Sequence, residues 1–153
     1  MKRRTQIPIL FFLIVVLFCS VQCKKDSNTV QRTIILYDKP LSTIQSYIQG
    51  NWKLHYGKGG ILSTMIQYYN NTFWNFTSGN KIKASYNGII TADATIRWYQ
   101  DVGTYTNGAT TFILSFSDKQ GVPWNYVVER IYNDTLILHD FSSDAVFYHF
   151  TKQ

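Results

Sequence analysis

The sequence predicts an all-β domain: an antiparallel eight-stranded barrel preceded by a short helical turn. From Trp52 onward, apolar and polar residues alternate with period two in eight short runs rich in aromatic and β-branched residues. Turn-forming residues separate these runs and leave no room for crossover helices, which indicates antiparallel neighbours. Eight such strands can close into a barrel without exposed edges. An open sandwich is the alternative.

The helical turn is predicted over residues 41–48, where Pro40 can begin a helix and Gly50 can end it. Its apolar residues Leu41, Ile44 and Ile48 recur at helical spacing. The eight predicted strands then contain, in order, Trp52, Trp74, Ile82, Ile96, Phe112, Trp124, Thr135 and Ala145. Intervening pairs such as Asn87-Gly88 and Asn107-Gly108 suit tight turns, because asparagine and glycine tolerate positive φ.

The N-terminus has the pattern of a secretory signal. Residues 1–4 include three basic side chains, and residues 7–18 form an apolar run that is short for a membrane-spanning helix. Cys23 follows, and the segment resembles a bacterial lipoprotein signal in which that cysteine becomes the lipidated first residue. Cys19 is the alternative lipidation site, and cleavage without lipid is the other alternative. The predicted domains are a signal peptide (1–22), a lipidated tether (23–40) and a barrel (41–153).

Composition restricts the possible functions. Both cysteines lie in the N-terminal segment, so the barrel domain has neither a disulfide framework nor a thiolate metal site. The chain carries 15 Lys and Arg against 9 Asp and Glu. Cleavage before Cys23 would remove Lys2, Arg3 and Arg4, leaving 12 against 9, a net charge of +3. No five-residue basic cluster survives, which argues against a nucleic-acid partner.

Catalytic and metal-binding patterns are weak. The three histidines, His55, His139 and His149, are not expected to converge on one metal ion. Glu129 is the only glutamate, and no serine or cysteine lies in a nucleophile-elbow motif. The sequence therefore predicts a protein that is not an enzyme and has no cofactor and no metal.

One family resemblance bears on the fold. Gly50-Asn51-Trp52 resembles the G-x-W motif of lipocalins, and residues 133–150 resemble the last hairpin of small lipocalin-like bacterial lipoproteins. The resemblance implies that Trp52 plugs the closed end of the barrel under Lys152 from the last strand. It also implies that the loop between the first two strands covers an open end, and that the interior can hold a small apolar ligand.

Two sets of residues are candidates for such a ligand site. The predicted inward-facing set that could line a cavity consists of Trp74, Phe76, Tyr86, Trp98, Gln100, Phe112 and Phe116. A long loop over residues 58–71 could form a lid, through Ile61, Leu62, Met65, Ile66, Tyr68 and Tyr69. The alternatives are that the rings fill a packed core and that the loop plugs it.

These observations predict a non-catalytic lipoprotein of the cell envelope, anchored through its N-terminal lipid, with the outer membrane as the expected location. The expected function is binding of a small apolar or amphipathic ligand in the barrel mouth. The alternative is a protein-interaction module with a filled core, either an inhibitor or an accessory subunit of an envelope complex.

Overall fold

The computed structural model describes residues 32–62 and 64–153. The predicted signal peptide, the lipidation site Cys23 and residues 23–31 of the predicted tether lie outside the described residues. No helix among the described residues is long and apolar enough to span a membrane.

The described chain contains ten β-strands and one α-helix. In order they are β1 (Thr33–Ile35), α1 (Leu41–Ile48), β2 (Gly50–Gly59), β3 (Ile66–Thr77), β4 (Lys81–Tyr86), β5 (Ile89–Thr95), β6 (Arg97–Val102), β7 (Thr110–Ser117), β8 (Pro123–Tyr132), β9 (Thr135–Asp140) and β10 (Val146–Lys152). The helix occupies the residues predicted for the helical turn. The all-β, antiparallel class is also as predicted.

The strands form one strongly curled antiparallel sheet. Its order is β5-β4-β3-β2-β10-β9-β8-β7-β6, and β1 pairs with the C-terminal part of β8. The prediction of a closed eight-stranded barrel is wrong in two respects: nine strands form the main sheet, and the sheet remains an open half-barrel. Such a sheet is compatible with a lipocalin-like fold.

The sheet stays open because β5 and β6 are consecutive in the chain yet form its two edges. Ile96 alone joins them, and the successive antiparallel pairings make both strands run in the same direction. Two strands that run in the same direction can pair only through a long crossover connection, and a single residue is too short for one. Instead, the amide of Lys119 donates to the carbonyl of Thr91 across the gap, at 2.9 Å.

The part of the predicted tether that the structure describes belongs to the sheet. Thr33, Ile34 and Ile35 pair with Tyr132, Ile131 and Arg130 of β8. Leu36, which follows them, is fully buried. The compact unit of the described chain therefore begins ahead of residue 41, where the barrel domain was predicted to begin.

Helix α1 covers one end of the half-barrel, called the helix end below. Ile44 and Ile48 pack into the main core, and the indole Nε1–H of Trp52 donates to the carbonyl of Ile48 at 2.6 Å. Trp52 is 1% exposed, and the Nζ atom of Lys152 lies 5.4 Å from the centroid of its ring. The opposite end, called the mouth, is formed by the β2–β3, β4–β5, β7–β8 and β9–β10 connections.

The long lid loop predicted over residues 58–71 is wrong in extent. β2 and β3 continue their pairing toward the mouth, with Tyr56 opposite Tyr68 and Lys58 opposite Ile66. Ile66, Tyr68 and Tyr69 are therefore strand residues, and only residues 60–65 connect the strands. A Cβ at Gly59, whose φ is +121°, would lie 2.5 Å from the carbonyl oxygen of Ala145, so this glycine permits the close approach of β10.

Candidate functional site

The half-barrel contains a cavity that opens at the mouth. Its volume is about 320 Å³. Walls and rim come from β2 to β5, β7, β8 and β10, and consist of Leu54, Tyr69, Thr72, Trp74, Ala84, Thr91, Ala92, Phe116, Asp118, Trp124, Tyr126 and Tyr148. We refer to this space as the mouth cavity.

Aromatic rings held edge to face form much of its wall. The ring of Trp74 lies 5.6 Å from Phe116 and 5.3 Å from Tyr126, with interplanar angles of 90° and 72°. It also packs 5.0 Å from Phe150, which is fully buried behind it. Such contacts fix ring orientation as well as burying area, because the edge of one ring meets the face of the next.

Beside Trp74, the small side chains Ala84 and Ala92 on the two adjoining strands leave room in the cavity. Both alanines are almost fully buried, and they are paired across β4 and β5. A larger residue at either position would project into the space that the aromatic wall encloses. The cavity therefore depends on two small residues facing a set of large ones.

Three tyrosines add hydroxyl groups to this apolar wall. Burial raises the pKa of Tyr126, Tyr148 and Tyr69, and the nearby carboxylate of Asp140 acts in the same direction on each. Of the tyrosine hydroxyls that the structure describes, those of Tyr99 and Tyr105 hydrogen-bond to protein oxygens, whereas these three do not. They are therefore protonated donors available to a molecule in the cavity.

The β7–β8 turn forms one side of the rim and is organised by Asp118. One carboxylate oxygen of Asp118 accepts hydrogen bonds from the amides of Gln120 and Val122, both at 2.9 Å, and the other accepts from the indole of Trp124 at 3.3 Å. These bonds, led by that of Val122, hold the pKa of Asp118 below its usual value. The Trp124 ring stacks on Tyr126, with 6.3 Å between centroids.

The structure brings some of the predicted site residues together and separates others. Trp74 and Phe116 line the mouth cavity. Phe76 and Trp98 lie instead at the helix end, where they line a shallow polar depression beside α1. Tyr86 and Gln100 are exposed, and Phe112 is half-buried against the core.

The predicted lid residues also fall into two groups, one inside the cavity and one on the surface. Tyr69 points into the mouth cavity, since its strand places it on the inner face. The other five side chains are exposed and lie at or near the tip of the β2–β3 hairpin, with Ile61 88% and Leu62 66% exposed. In this structure they neither plug the core nor cover the cavity.

Several cavity residues were missed in the sequence analysis, notably Tyr126, Tyr148, Ala84 and Ala92. Tyr126 and Tyr148 belong to alternating strands whose inward residues could have been chosen. The sequence pattern around Ala92 was less informative than that around the two tyrosines. Its strand, β5, is polar on its outer face and was not predicted as a strand. The pattern that could have located the cavity is a pair of alanines on neighbouring strands, next to strands that carry large aromatic residues.

Two other depressions are less suited to an apolar ligand. The one at the helix end is lined largely by polar side chains, including Ser42, Gln45 and Asn80. Another, on the outer face of the sheet, is bordered by Lys58, Arg130 and His149. Within residues 32–62 and 64–153, no group of three or more His, Cys, Asp or Glu side chains is placed to hold a metal ion.

No protein-family model, curated protein or solved structure matches this chain. The fold and the site therefore define its class by themselves. It is an all-β protein with a strongly curled antiparallel half-barrel, one end covered by a helix and the other opening on an aromatic-lined cavity.

Proposed function

We propose that this protein binds a small apolar or amphipathic ligand in the mouth cavity, without catalysis. The observation that carries the proposal is an open cavity whose aromatic wall includes three protonated hydroxyls with no partner in the described chain. Ligand sites in proteins commonly combine an apolar lining with a few convergent polar groups. The arrangement around Trp74 and Tyr126 has that composition.

The size and chemistry of the cavity narrow the ligand class. A volume of about 320 Å³ lies near the lower end of the range for small-molecule sites, which is about 300–1,000 Å³. The rings favour an apolar body, and the hydroxyls of Tyr69, Tyr126 and Tyr148 favour a hydrogen-bond acceptor. A small amphiphile with one acceptor group satisfies both requirements.

Binding rather than reaction is proposed because the polar groups of the cavity are poor catalysts. Its tyrosine hydroxyls are held in the neutral form, and the Asp118 carboxylate is already occupied by turn amides and the Trp124 indole. Neither the tyrosine hydroxyls nor the Asp118 carboxylate is paired with a base that would activate it as a nucleophile. Covalent catalysis would need such a pair.

The proposed setting is the cell envelope, and it rests on the N-terminal sequence. A signal over residues 1–22 and a lipidated Cys23 would anchor a lipocalin-like lipoprotein, with the outer membrane as the proposed location. Several acyl chains on one cysteine would suffice for stable attachment, whereas a single chain binds only marginally.

Native mass spectrometry of the protein purified from its own cells tests the ligand proposal. We expect a bound small molecule that leaves on mild collisional activation and that partitions into apolar solvent. A protein that is consistently ligand-free, and that also fails to bind an apolar fluorescent probe, would overturn the proposal. That result would favour the protein-interaction alternative.

A further inference from the structure

The depression at the helix end differs in composition from the mouth cavity, and we call it the helix-end depression. Its volume is about 380 Å³, and its apolar lining is formed by the buried side chains of Ile48, Phe76 and Ile96 and by the ring of Trp98. No residue that lines it carries a charge. The polar side chains around it include those of Ser42, Ser46, Ser78, Gln45, Gln49 and Asn80.

Asn80 connects the elements that surround this depression. It ends the β3–β4 turn with a φ of +59°, a left-handed conformation that asparagine adopts more readily than most residues. Its backbone carbonyl accepts from the amide of Ile96 at 2.6 Å. Its side-chain oxygen accepts from the indole of Trp98 at 3.2 Å and from the side-chain amide of Gln45 at 2.6 Å. One turn residue thus holds side chains of β6 and α1 in place.

These two bonds fix the orientation of both amide groups. An indole N–H can only donate, so the side-chain atom of Asn80 that meets Trp98 is the oxygen. Gln45 meets the same oxygen and therefore contributes its nitrogen. The Nδ2 atom of Asn80 remains as a donor and the Oε1 atom of Gln45 as an acceptor, and neither forms a hydrogen bond within the described chain. Because both amides are already held, a ligand would immobilise little further side-chain freedom.

Trp98 adds a flat apolar surface beside these amides. Its strand, β6, is an edge of the sheet, and its ring is half-buried, packed in part against the core. The remaining surface lines the helix-end depression. An indole held in this way has an apolar face for a ligand while its N–H group is satisfied by the protein.

The basic residues nearest in the chain lie outside the depression. Lys81 follows Asn80 and Arg97 precedes Trp98, but both are exposed and neither lines the depression. Alternation along a strand places each of them on the face opposite to its buried neighbour. The depression is therefore suited to a neutral molecule.

We propose that the helix-end depression binds a neutral saccharide, with an apolar C–H face of the sugar against Trp98. Each sugar hydroxyl both donates and accepts hydrogen bonds, so two neighbouring hydroxyls satisfy the oxygen of Gln45 and the nitrogen of Asn80 together. The serine hydroxyls around the depression provide further partners. This site is separate from the mouth cavity and does not depend on a ligand there.

NMR titration with defined saccharides tests the proposal. The ¹⁵N-labelled full-length protein is kept in solution with a detergent that has no sugar headgroup. It is titrated separately with maltose, cellobiose, lactose, mannobiose and diacetylchitobiose, which are neutral and differ in linkage and hydroxyl orientation. The indole signal of Trp98 is assigned from its loss in Trp98→Phe.

We expect at least one of these disaccharides to shift the Trp98 indole signal and the side-chain amide signals of Gln45 and Asn80. The indole signal of Trp124, at the mouth, should stay unchanged. Titrations in which no disaccharide shifts the Trp98 signal, or in which only the Trp124 signal moves, would overturn the proposal.

A matched pair of variants tests the amide contact. Gln45→Met removes both amide atoms at similar side-chain size and leaves the bond between Trp98 and Asn80 intact. Gln120→Met makes the same exchange on the β7–β8 turn at the mouth. The disaccharide should bind about tenfold more weakly to Gln45→Met, because its hydroxyl loses a partner, and as tightly as before to Gln120→Met.

Binding of an apolar probe in the mouth cavity should be equal in the two variants, which separates this site from the ligand site proposed there. Thermal unfolding of Gln45→Met near the wild-type temperature would show that the loss of affinity is local. Equal disaccharide affinity in Gln45→Met and Gln120→Met would contradict the proposed contact.

Discussion

The ammonium nitrogen of Lys152 lies 5.4 Å from the centre of the Trp52 ring, and the indole N–H of Trp52 donates to the carbonyl of Ile48. Trp52 thus connects the last strand, the first long strand and the helix. Its ring is buried, whereas the cation above it is exposed. The two partners of this contact should therefore contribute very differently to stability.

Trp52→Ala should lower the free energy of unfolding by about 3–5 kcal/mol, the usual cost of removing a buried large ring. Lys152→Ala should cost no more than about 1 kcal/mol, because cation–π contacts at exposed sites are weak. Urea unfolding of both variants measures this. A Lys152→Ala effect as large as that of Trp52→Ala would contradict the view that the buried ring carries the stability.

Ala92→Leu should close the mouth cavity. Added methyl groups would occupy the cavity that Ala92 lines, so an apolar fluorescent probe should bind at least about tenfold more weakly, which corresponds to about 1.4 kcal/mol. Asp93→Leu is the matched control, since it adds the same side chain on the outer face of the same strand. Equal probe affinity in the two variants would show that the probe binds elsewhere.

Tyr126 and Tyr148 should make the fold sensitive to alkali. Burial raises the pKa of both above the ordinary value of 10.0. The folded state therefore holds their protons more tightly, so its stability is complete below pH 10 and declines as the pH rises above it. Unfolding experiments from pH 8 to 11 should show a shallower decline for Tyr126→Phe. An unchanged slope would mean that this hydroxyl is not desolvated in the fold.

His149 should make the stability of the fold sensitive to acid rather than to alkali. Burial, followed by the nearby charges of Arg130 and Lys58, lowers its pKa below 6.5, and its ring stacks on Tyr56 at 4.2 Å. The unfolded state then binds the proton more readily, so stability is complete above pH 6.5 and declines as the pH falls. His149→Phe should flatten this decline. NMR titration of the His149 ring gives the pKa directly, and a value above 6.5 would refute the prediction.

Asp118→Ala should loosen the rim of the mouth cavity. The Gln120 and Val122 amides would lose their acceptor, so both should exchange with deuterium faster while core amides stay protected. Trp124 should also become more mobile, because its indole loses the same partner. Asp118→Asn retains one acceptor oxygen and should show an intermediate effect. Unchanged exchange at residues 120 and 122 in Asp118→Ala would rule out this role.

Local sequence patterns were sufficient for the fold class. The period-two alternation around Trp74, the turn at Asn87-Gly88 and the helix beginning after Pro40 depend on neighbouring residues only, and the structure contains all three. The position of Trp52 at the covered end was implied by the resemblance of Gly50-Asn51-Trp52 to the G-x-W motif of lipocalins.

Strand number and closure were not predictable in the same way. The segment Ile89–Thr95 has small and polar residues, so its alternation is weak, yet pairing with β4 makes it a strand. The placement of β5 and β6 at the two edges of one sheet depends on the pairings of strands far away in sequence. The bulges at His55 in β2 and at Glu129 in β8 also change which face later residues occupy, and only the pairing reveals them.

The sequence by itself determined an antiparallel β domain with a helix before its first long strand, because backbone propensity and hydrophobic alternation are local properties. The tertiary structure decided that the sheet stays open, that Trp74 and Tyr126 meet at one cavity, and that Ile61 and Leu62 project from the mouth. Those features depend on register and curvature, which arise only when residues distant in the chain come into contact.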